Sequence, residues 1–508
     1  MYNVYKMDNF KKYYKIANKH ESKNEINLAI DNYKKALNYK SNNIKCLKDL
    51  SNVYHNIGDY NNAIECYKTI INVSTDVKIT VISLNELGVL YNKIQNYTES
   101  LHYFKKILSY KNDIPDVYFN IGLCYISLKQ YKQAEVSLLI YLKIQKDNKI
   151  CICIGNLYFY MKQYEKSIFF YEQITNIKND YENLYNLCFP YLAKKNFRRG
   201  FELYEYRLKF NDIHSQTNQK TRVEVDIPYW NGVDPCENLL VIYEQGIGDN
   251  ILYYRFIIQL SILYPNLKIT YFCKNNVSHL FKSYENITIL DDKLPIFNID
   301  IDKQFNYKIY IMSLPYLLKI ENISTNKYHY INIDTDKEKY WNNKLQVLKG
   351  DANKLNVGFV YKGMLTSFIE KNILLQEFEP LVDLNINLIC LHKKSEIYED
   401  LQNISFSDKI ISFDIDTDKA FEDTICILKN IDILISIDTS IVHLAGVLNV
   451  KTLLLLGYGS DWRWFSDNTK VWYDSVDLLR INENKDLKYI LPQVKDILSN
   501  MLIEQNIV

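Results

Sequence analysis

One pattern recurs through the first two fifths of the chain: a small residue followed, four positions later, by a large apolar one. Its occurrences are Ala29/Tyr33, Ala63/Tyr67, Ser100/Phe104, Ala134/Leu138, Ser167/Tyr171 and Gly200/Tyr204. The small residues are separated by 34, 37, 34, 33 and 33 positions. Periods of this length are typical of stacked helix pairs, in which each pair buries its apolar face on the next. The pattern therefore predicts an α-helical solenoid of about six units over residues 9–210.

Further positions repeat with the same period. Nine positions before the small residue stands an aromatic ring: His20 in the first unit, then Tyr54, Tyr91, Tyr125, Tyr158 and Tyr191. Three units add a glycine three positions earlier, namely Gly88, Gly122 and Gly155. Together these features resemble the tetratricopeptide repeat, which has two antiparallel helices per unit. The resemblance implies that the tyrosines pack in the core and that the groove of the stack is a candidate surface for an extended protein or peptide.

Composition excludes several classes of function. The chain has 508 residues with 61 Lys+Arg against 60 Asp+Glu, so its net charge of +1 gives no reason to expect nucleic acid or a membrane surface as partner. No apolar run approaches the roughly 20 residues of a membrane helix, and no signal peptide is recognisable. The ten cysteines contain no C-x-x-C pair and no metal-ligand spacing. We therefore expect a cytoplasmic protein with no metal, no cofactor and mostly buried cysteines, and with oligomers possible through the repeats.

The pattern changes after Arg207. Residues 211–237 are polar and then carry two prolines and a glycine, which indicates a linker. Beyond it, short apolar strands alternate with helical segments, which favours parallel sheets. The predicted strands are 239–243, 268–272, 287–290 and 307–311, then 356–361, 386–391, 409–413, 433–437 and 452–456. Two such sets predict two doubly wound, Rossmann-like α/β domains, at 238–350 and 351–508, with a cleft between them.

Two turns in these domains are candidates for a site, because ligands of such sheets bind at the carboxyl ends of strands. The first runs from Glu244 and Gln245 through Gly246 and Gly248 to Asp249, with glycines where backbone amides can approach a ligand closely. Spacing alone leaves Asp249 open to a second interpretation as a helix N-cap.

The second turn opens a predicted helix over 441–446. Asp438, Thr439 and Ser440 offer amides and hydroxyls suited to a diphosphate, and His443 lies one turn further on. Capping and core packing are the alternative interpretations of these residues.

At these motifs the chain resembles a family. Residues 228–232 and 242–249 are similar to the start of the transferase domain in bacterial tetratricopeptide-repeat glycosyltransferases related to the heptosyltransferases (glycosyltransferase family nine). Residues 421–424, 431–446 and 461–464 resemble the second half of that domain, in the same order. Even the last repeat, 200–207, resembles the family's junction with the catalytic half.

The resemblance implies a GT-B enzyme with a nucleotide-activated sugar on the C-terminal domain and the acceptor on the N-terminal domain. Asp249 matches the family's general base for an inverting, metal-independent transfer. The residues implied on the donor side are Gly246, Gly248, Asp438, Thr439, Ser440 and His443, and those lining the cleft are Glu244, Gln245, Trp462, Arg463 and Trp464. The tryptophans are open to the alternative of simple packing.

The chain departs from the family after the strand at 356–361. A Gly-Asn-Pro loop with basic residues is replaced here by residues 362–372, where Lys362 and Lys371 are the candidate cations for the diphosphate. Both lysines are also open to interpretation as solvated surface residues. Residues 457–459 likewise replace an apolar-plus-proline turn.

Two hypotheses follow. The first is an active glycosyltransferase whose repeats recruit a protein or peptide acceptor. The second is a non-catalytic repeat scaffold with a degenerate transferase domain. Within the first, a lipopolysaccharide- or glycan-directed, heptosyltransferase-like enzyme remains open. The sequence names neither the sugar nor the nucleotide.

Overall fold

The computed structural model describes residues 2–209, 225–274, 276–292, 304–325, 328–350, 354–363, 372–481 and 486–507. The chain divides into two compact units, Met1–Thr175 and Asn176–Val508. All of the strands among these described residues belong to the second unit.

The first unit is a helical solenoid. Its helices are α1 (Tyr2–Ser22), α2 (Ile26–Tyr39), α3 (Ile44–Asn56), α4 (Tyr60–Val73), α5 (Val77–Lys93), α6 (Tyr97–Leu108), α7 (Pro115–Ser127), α8 (Tyr131–Ile144), α9 (Asn148–Tyr160) and α10 (Tyr164–Glu172). Consecutive helices pack as pairs, so the unit contains five predicted repeats.

The repeated small and aromatic positions explain this packing. A Cβ atom on Gly88 would lie 2.6 Å from the ring of Phe104, so the glycine admits that ring. Gly155 admits Tyr171 in the same way, with a Cβ only 2.9 Å from the ring. The small residue of the second helix binds back to the first helix: the Ser100 hydroxyl donates to the Gly88 carbonyl at 2.7 Å. These contacts hold the two helices of a pair close together.

The sixth predicted repeat belongs to the second unit. It consists of α11 (Tyr181–Ala193) and α12 (Phe197–Tyr204). The first sheet follows, with β1 (Asn238–Ile242), β2 (Lys268–Cys273), β3 (Ile287–Asp291) and β4 (Tyr307–Tyr310) in the order β3-β2-β1-β4. All neighbours are parallel. Helix α13 (Ile247–Leu263) connects β1 to β2, and the short α14 (Leu314–Leu317) follows β4.

The second sheet has six described strands: β5 (Leu355–Val360), β6 (Ile386–Cys390), β7 (Ile410–Ser412), β8 (Ile433–Ile437), β9 (Thr452–Leu456) and β10 (Val476–Arg480). They are parallel in the order β10-β9-β8-β5-β6-β7, which is the strand order of a doubly wound sheet. Its helices are α15 (Thr335–Lys349), α16 (Tyr398–Gln402), α17 (Glu422–Asn430), α18 (Ser440–Val447) and α19 (Leu491–Ile507).

The structure differs from the sequence prediction in three places. Strand β10 was missed, because charges at Asp477 and Arg480 interrupt its apolar run. The end of the predicted linker packs on the first sheet, where the Trp230 amide donates to the Lys308 carbonyl at 3.0 Å. Helix α15 lies before the predicted boundary at 350/351 but packs on α17 of the second sheet, with the Trp341 indole donating to Asp423 at 2.9 Å.

Candidate functional site

The strand order reverses once in each sheet, and each reversal creates a crevice at the carboxyl ends of the strands. In the first sheet it falls between β1 and β4, and in the second between β5 and β8. Residues 244–249, hereafter the glycine loop, follow β1. Residues 438–440, hereafter the Asp-Thr-Ser turn, follow β8. The two turns singled out from the sequence therefore occupy the two positions that favour ligand binding in this architecture.

Helix α13 begins within the glycine loop. The helix begins at Ile247 with Gly246 as its N-cap, so Asp249 lies inside the first turn. Its carboxylate accepts a hydrogen bond from the Gly246 amide at 3.2 Å. The N-cap is therefore Gly246 and not Asp249, and Asp249 accepts from the N-cap amide at the third helical position, as in a capping box.

The Asp-Thr-Ser turn leads directly into α18, with Thr439 as N-cap and Ser440 as the first helical residue. One turn on, the buried His443 stacks on Trp464 with ring centroids 5.5 Å apart. Its Nδ1 lies 3.2 Å from the Tyr473 hydroxyl. Burial lowers the pKa of His443 to about 4, so the ring is neutral near pH 7.

The two turns contact each other across the two sheets. A Cβ atom on Gly248 would lie 3.0 Å from His443 Cδ2 and 3.3 Å from Ser440 Cα, so the two helix starts approach each other closely at this glycine. The loop after β5 joins them, because a Cβ atom on Gly363 would lie 3.1 Å from Thr439 Cγ2. The start of α13, the start of α18 and the end of β5 therefore form one locus.

An ion pair spans this locus. The Arg463 guanidinium forms a salt bridge with Asp249, its Nη2 lying 2.7 Å from Oδ1, and donates through Nη1 to Asp461 Oδ1 at 2.9 Å. Asp461 also accepts from the Arg463 amide at 3.0 Å, which fixes the turn carrying the arginine. Burial raises the pKa of Asp249 above its ordinary value, and Arg463 opposes that rise.

Several buried donors around this pair have no hydrogen-bond partner among the described residues. They are Tyr253 OH, Thr439 Oγ1, Arg463 Nε and the indole Nε1 atoms of Trp462 and Trp464. Tyr253 lies one helical turn beyond Asp249 on α13, and both Asp249 and Arg463 act on its pKa, which burial raises. An unpaired buried donor is costly, so this set favours an acceptor-rich or anionic occupant.

Of the two predicted cations, Lys362 lies within the described residues. The Lys362 ammonium lies 2.6 Å from Asp400 Oδ2 and donates to the Glu396 carbonyl at 2.8 Å. The Asp400 carboxylate accepts from Lys362 and from the Tyr361 hydroxyl, and both hydrogen bonds lower the pKa of Asp400. The second predicted cation, Lys371, lies outside the described residues.

Glu244 and Gln245, predicted to line the cleft, join the first sheet to the sixth repeat. Arg207 donates to Glu244 through Nε at 3.0 Å and through Nη2 at 2.7 Å, and Nη2 also reaches Ser313 Oγ at 2.8 Å. Gln245 donates to the Tyr204 hydroxyl at 2.6 Å. The first crevice is therefore partly filled by the sixth repeat.

The residues expected at the mouth of the cleft are buried. Trp462, Arg463 and Trp464 expose only 4%, 9% and 3% of their surface. Trp462 meets Phe201 of the sixth repeat edge to face, with centroids 6.3 Å apart. The same repeat reaches this loop a second time, where Lys195 pairs with Asp467 at 2.8 Å.

Sequence reasoning assigned no role at this site to Arg207, Tyr253, Ser313 or Asp461. Arg207 and Asp461 do stand inside the two motifs that carry the family resemblance, and that position was the available signal. Tyr253 was detectable from its spacing, four positions after Asp249 on a predicted helix. Ser313 carried no local signal.

The described part of the chain has neither a metal-binding cluster nor a membrane-spanning helix. No group of three or more His, Cys, Asp or Glu side chains there could hold a metal ion. None of the described helices combines the length and apolarity needed to cross a membrane. Nine of the ten cysteines are buried as free thiols, as predicted, and Cys236 is partly exposed.

Comparison with known proteins identifies the repeats. A family model of the tetratricopeptide repeat matches residues 49–76, 115–148 and 149–181. The N-terminal region is built of tetratricopeptide repeats. No curated protein matches the chain.

Solved structures resemble the chain only in part. A crystal structure of MamA is 20% identical with a TM-score of 0.28, covering 38% of this chain and 97% of MamA. A tetratricopeptide repeat protein from Parabacteroides merdae is 18% identical with a TM-score of 0.34, covering 41% of this chain and 88% of the other. YrrB, described as a repeat protein with an unusual peptide-binding site, is 19% identical with a TM-score of 0.28, covering 32% of this chain and 81% of YrrB.

Proposed function

We propose that the protein is a glycosyltransferase of the GT-B type, which transfers a sugar from a nucleotide-activated donor to an acceptor hydroxyl with Asp249 as general base. One observation carries the proposal: the glycine loop and the Asp-Thr-Ser turn, each at the crevice of its own parallel sheet, are in direct contact through Gly248 and Ser440. Such a locus holds a carboxylate beside a helix start, which are the two groups that an inverting transfer requires.

The proposed step balances as follows. The acceptor oxygen attacks the anomeric carbon of the donor while its proton passes to Asp249. The bond from the anomeric carbon to the phosphate oxygen breaks, and the nucleoside diphosphate leaves with the bonding electrons. Burial raises the pKa of Asp249, which favours acceptance of the proton, whereas the Arg463 guanidinium opposes that rise.

The leaving diphosphate is assigned to the start of α18. The first amides of a helix have no partner within the helix, and the helix dipole favours negative charge there. The partnerless hydroxyl of Thr439 and the hydroxyl of Ser440 lie at the same end. His443 is neutral near pH 7, so in this proposal it shapes the pocket by stacking on Trp464 and does not supply charge.

The repeats support a protein or peptide acceptor. Helical repeats present extended surfaces that commonly bind polypeptide segments. We therefore assign acceptor recruitment to the five repeats of the first unit. Incubating the full chain with a labelled donor and a cell extract, before and after protease treatment of the extract, separates protein acceptors from glycan or lipid acceptors.

The first test of the donor site is calorimetric titration of the full chain with nucleoside diphosphates and their sugar conjugates, without added metal. A ligand that binds only the native protein raises its stability by about 2.7 kcal/mol at one hundred times its dissociation constant, so thermal shift gives a parallel readout. Specific binding of one nucleotide supports the proposal. Absence of binding by every nucleotide, in a well-folded sample, contradicts it.

Ser440→Pro tests the placement of the diphosphate without disturbing the helix. Ser440 is the first residue of α18, where proline is well tolerated, and Thr439 before it is extended (φ −138°, ψ 173°). The substitution removes one amide and one hydroxyl, so affinity for the diphosphate should fall about tenfold. Thr335→Pro, at the first position of α15 after the extended Asp334, is the matched control and should leave affinity unchanged.

Once a donor is known, Asp249→Asn tests the base. Transfer should fall about 10²- to 10⁴-fold, measured as labelled product, because a general base contributes that range. Asp408→Asn, an exposed aspartate of the same unit, is the control. Equal activity of Asp249→Asn and the wild type would remove Asp249 from the mechanism.

A second candidate function, a binding scaffold with an inactive transferase domain, is favoured by one observation. Asp249 is engaged by Arg463, and Lys362 is engaged by Asp400, so two proposed site residues are already paired. This candidate predicts peptide binding without nucleotide binding in the titrations above.

A further inference from the structure

The pairing of Asp249 raises a question that the proposed function leaves open. A carboxylate held by a guanidinium is a poor proton acceptor, because the pair stabilises its charged form. Arg463 contacts Asp249 at 2.7 Å, so the base is blocked in the free protein. An active enzyme requires a way to remove Arg463 from Asp249 at the right moment.

Arg463 is also well placed as a cation for the locus. The segments that meet there are 244–249, 361–363, 438–440 and 461–465, and their basic residues are Lys362 and Arg463. Lys362 is bound to Asp400 and to the Glu396 carbonyl. Arg463 contacts Asp249 of the glycine loop, whereas Arg207 is bound to Glu244 of that loop, and a guanidinium can engage a diphosphate through several donors at once.

One donor of the Arg463 guanidinium, Nε, takes no part in these contacts. Nη2 binds Asp249 and Nη1 binds Asp461, while Nε is buried with no hydrogen-bond partner among the described residues. The neighbouring indole Nε1 of Trp464 is in the same condition. Buried donors without acceptors are costly, so Arg463 Nε and Trp464 Nε1 favour the binding of an acceptor-rich or anionic ligand.

The charges around the pair set the conditions for exchange. The charges of Asp461 and Asp438 raise the pKa of Asp249, and the guanidinium of Arg463 lowers it. An incoming diphosphate must therefore compete with Asp249 for Arg463. Asp461 holds the arginine through both Nη1 and the backbone amide, so the side chain can release Asp249 while remaining anchored.

Resting on the proposed function, we propose that Arg463 exchanges partners when the donor binds. In the free protein its Nη2 holds Asp249. In the donor complex the guanidinium donates to the diphosphate instead, so Asp249 becomes an available base only when a donor is present. Arg463 is then a catalytic residue with two roles: it blocks the base in the free protein and stabilises the leaving group in the complex.

The proposed exchange and a purely structural role for the Arg463–Asp249 pair differ in the change of nucleotide affinity that they predict for Asp249→Asn. Asp249→Asn removes the competitor, so nucleoside diphosphate should bind about tenfold more tightly than to the wild type. Arg463→Met should weaken binding about a hundredfold and Arg463→Lys about tenfold. In Asp249→Asn/Arg463→Met the gain should disappear, because it acts only through Arg463.

The experiment is calorimetric titration of the full chain with the nucleoside diphosphate that the wild type or Asp249→Asn binds best. Asp408→Asn and Arg199→Gln are the matched controls, as both residues lie on the surface of the same unit. Circular dichroism and thermal melts establish that each variant is folded. If Arg463→Met fails to fold, Arg463→Lys and Asp249→Asn still decide the sign.

The outcomes are distinguishable. Tighter binding by Asp249→Asn that is lost in the double variant supports the exchange. Unchanged or weaker binding by folded Asp249→Asn, or a gain that survives in the double variant, overturns it while the donor site stands. Absence of nucleotide binding by all variants, including Asp249→Asn, overturns both the exchange and the proposed function.

Discussion

Two guanidinium–carboxylate pairs of the second unit invite comparison. Arg207 and Glu244, between the sixth repeat and the first sheet, expose only 2% and 3% of their side chains. Arg463 and Asp249, between the two sheets, expose 11% and 22%. Each nitrogen of the Arg207 guanidinium has a hydrogen-bond acceptor, whereas Arg463 Nε has none among the described residues.

The difference separates a structural pair from one that is suited to change partners. A fully buried, fully satisfied pair is expensive to break, because either partner alone is a buried charge. The Arg463–Asp249 pair is partly exposed and its Arg463 Nε has no partner among the described residues, so this pair can change partners at lower cost. The last repeat is joined to the sheets by the first kind of pair, and the proposed base is held by the second.

Breaking the structural pair should give the largest effect. Arg207→Met leaves Glu244 buried without its partner, so the free energy of unfolding should fall by about 3–5 kcal/mol. All five tryptophans lie in the second unit, at positions 230, 341, 462, 464 and 472, so their fluorescence during urea denaturation reports this unit alone.

The double variant Arg207→Met/Glu244→Leu provides the control for that measurement. It removes both charges and should recover most of the lost stability. A loss in Arg207→Met below about 1 kcal/mol would place this pair in the same class as Arg463–Asp249.

The next effect concerns the packing beneath the exchanging pair. A Cβ atom on Gly446 of α18 would lie 2.4 Å from the Tyr473 ring, so Gly446→Ala should cost about 1–3 kcal/mol through overpacking. Gly459→Ala, which has no heavy atom within 4 Å of the added Cβ, is the control and should change stability little. Equal stabilities would show that α18 shifts freely and would weaken the case for a rigid locus.

Acid should destabilise the second unit through His443. Its folded pKa of about 4 lies below the unfolded value of about 6.5, so the unfolded chain binds more protons between these values. The stability contributed by the neutral ring is present above about pH 6.5 and is lost as pH falls towards 4. Between pH 7 and pH 5 the loss should be about 1–2 kcal/mol, followed by tryptophan fluorescence in urea.

His443→Gln should flatten this dependence over the same pH range. His55→Gln, in the first unit, should leave it unchanged. A slope that is identical in the wild type and His443→Gln would contradict the assignment.

The smallest effect on stability is expected at the exchanging pair itself. Arg463→Met should lower the free energy of unfolding by about 1 kcal/mol, because Asp249 exposes 22% of its side chain and its charge stays partly solvated when Arg463 is removed. Its effect on nucleotide binding is expected to be larger than its effect on folding. A loss as large as that of Arg207→Met would identify both pairs as structural and would remove the contrast.

The local structure of the repeats and of the two sheets could be predicted from the sequence alone. The period of about 34 residues predicted the helix pairs, because each small residue and its aromatic partner report a close helix contact within one unit. Apolar runs predicted nine of the ten described strands to within about two residues at each end, since buried parallel strands are continuously apolar. The glycine loop and the Asp-Thr-Ser turn were likewise located from residues that are adjacent in the chain.

The pairing of charges and the packing of distant elements, by contrast, depend on the tertiary structure and could not be predicted from the sequence. Asp249 and Arg463 are more than 200 positions apart, and no periodicity of the chain connects them. The sixth repeat looks like the other five in sequence, yet Arg207 and Phe201 bind it to the sheets. Helical and strand patterns indicate which face of an element is buried, but the partner on that face depends on how distant segments of the chain meet. The ion pair that defines the candidate site therefore became visible only in the folded chain.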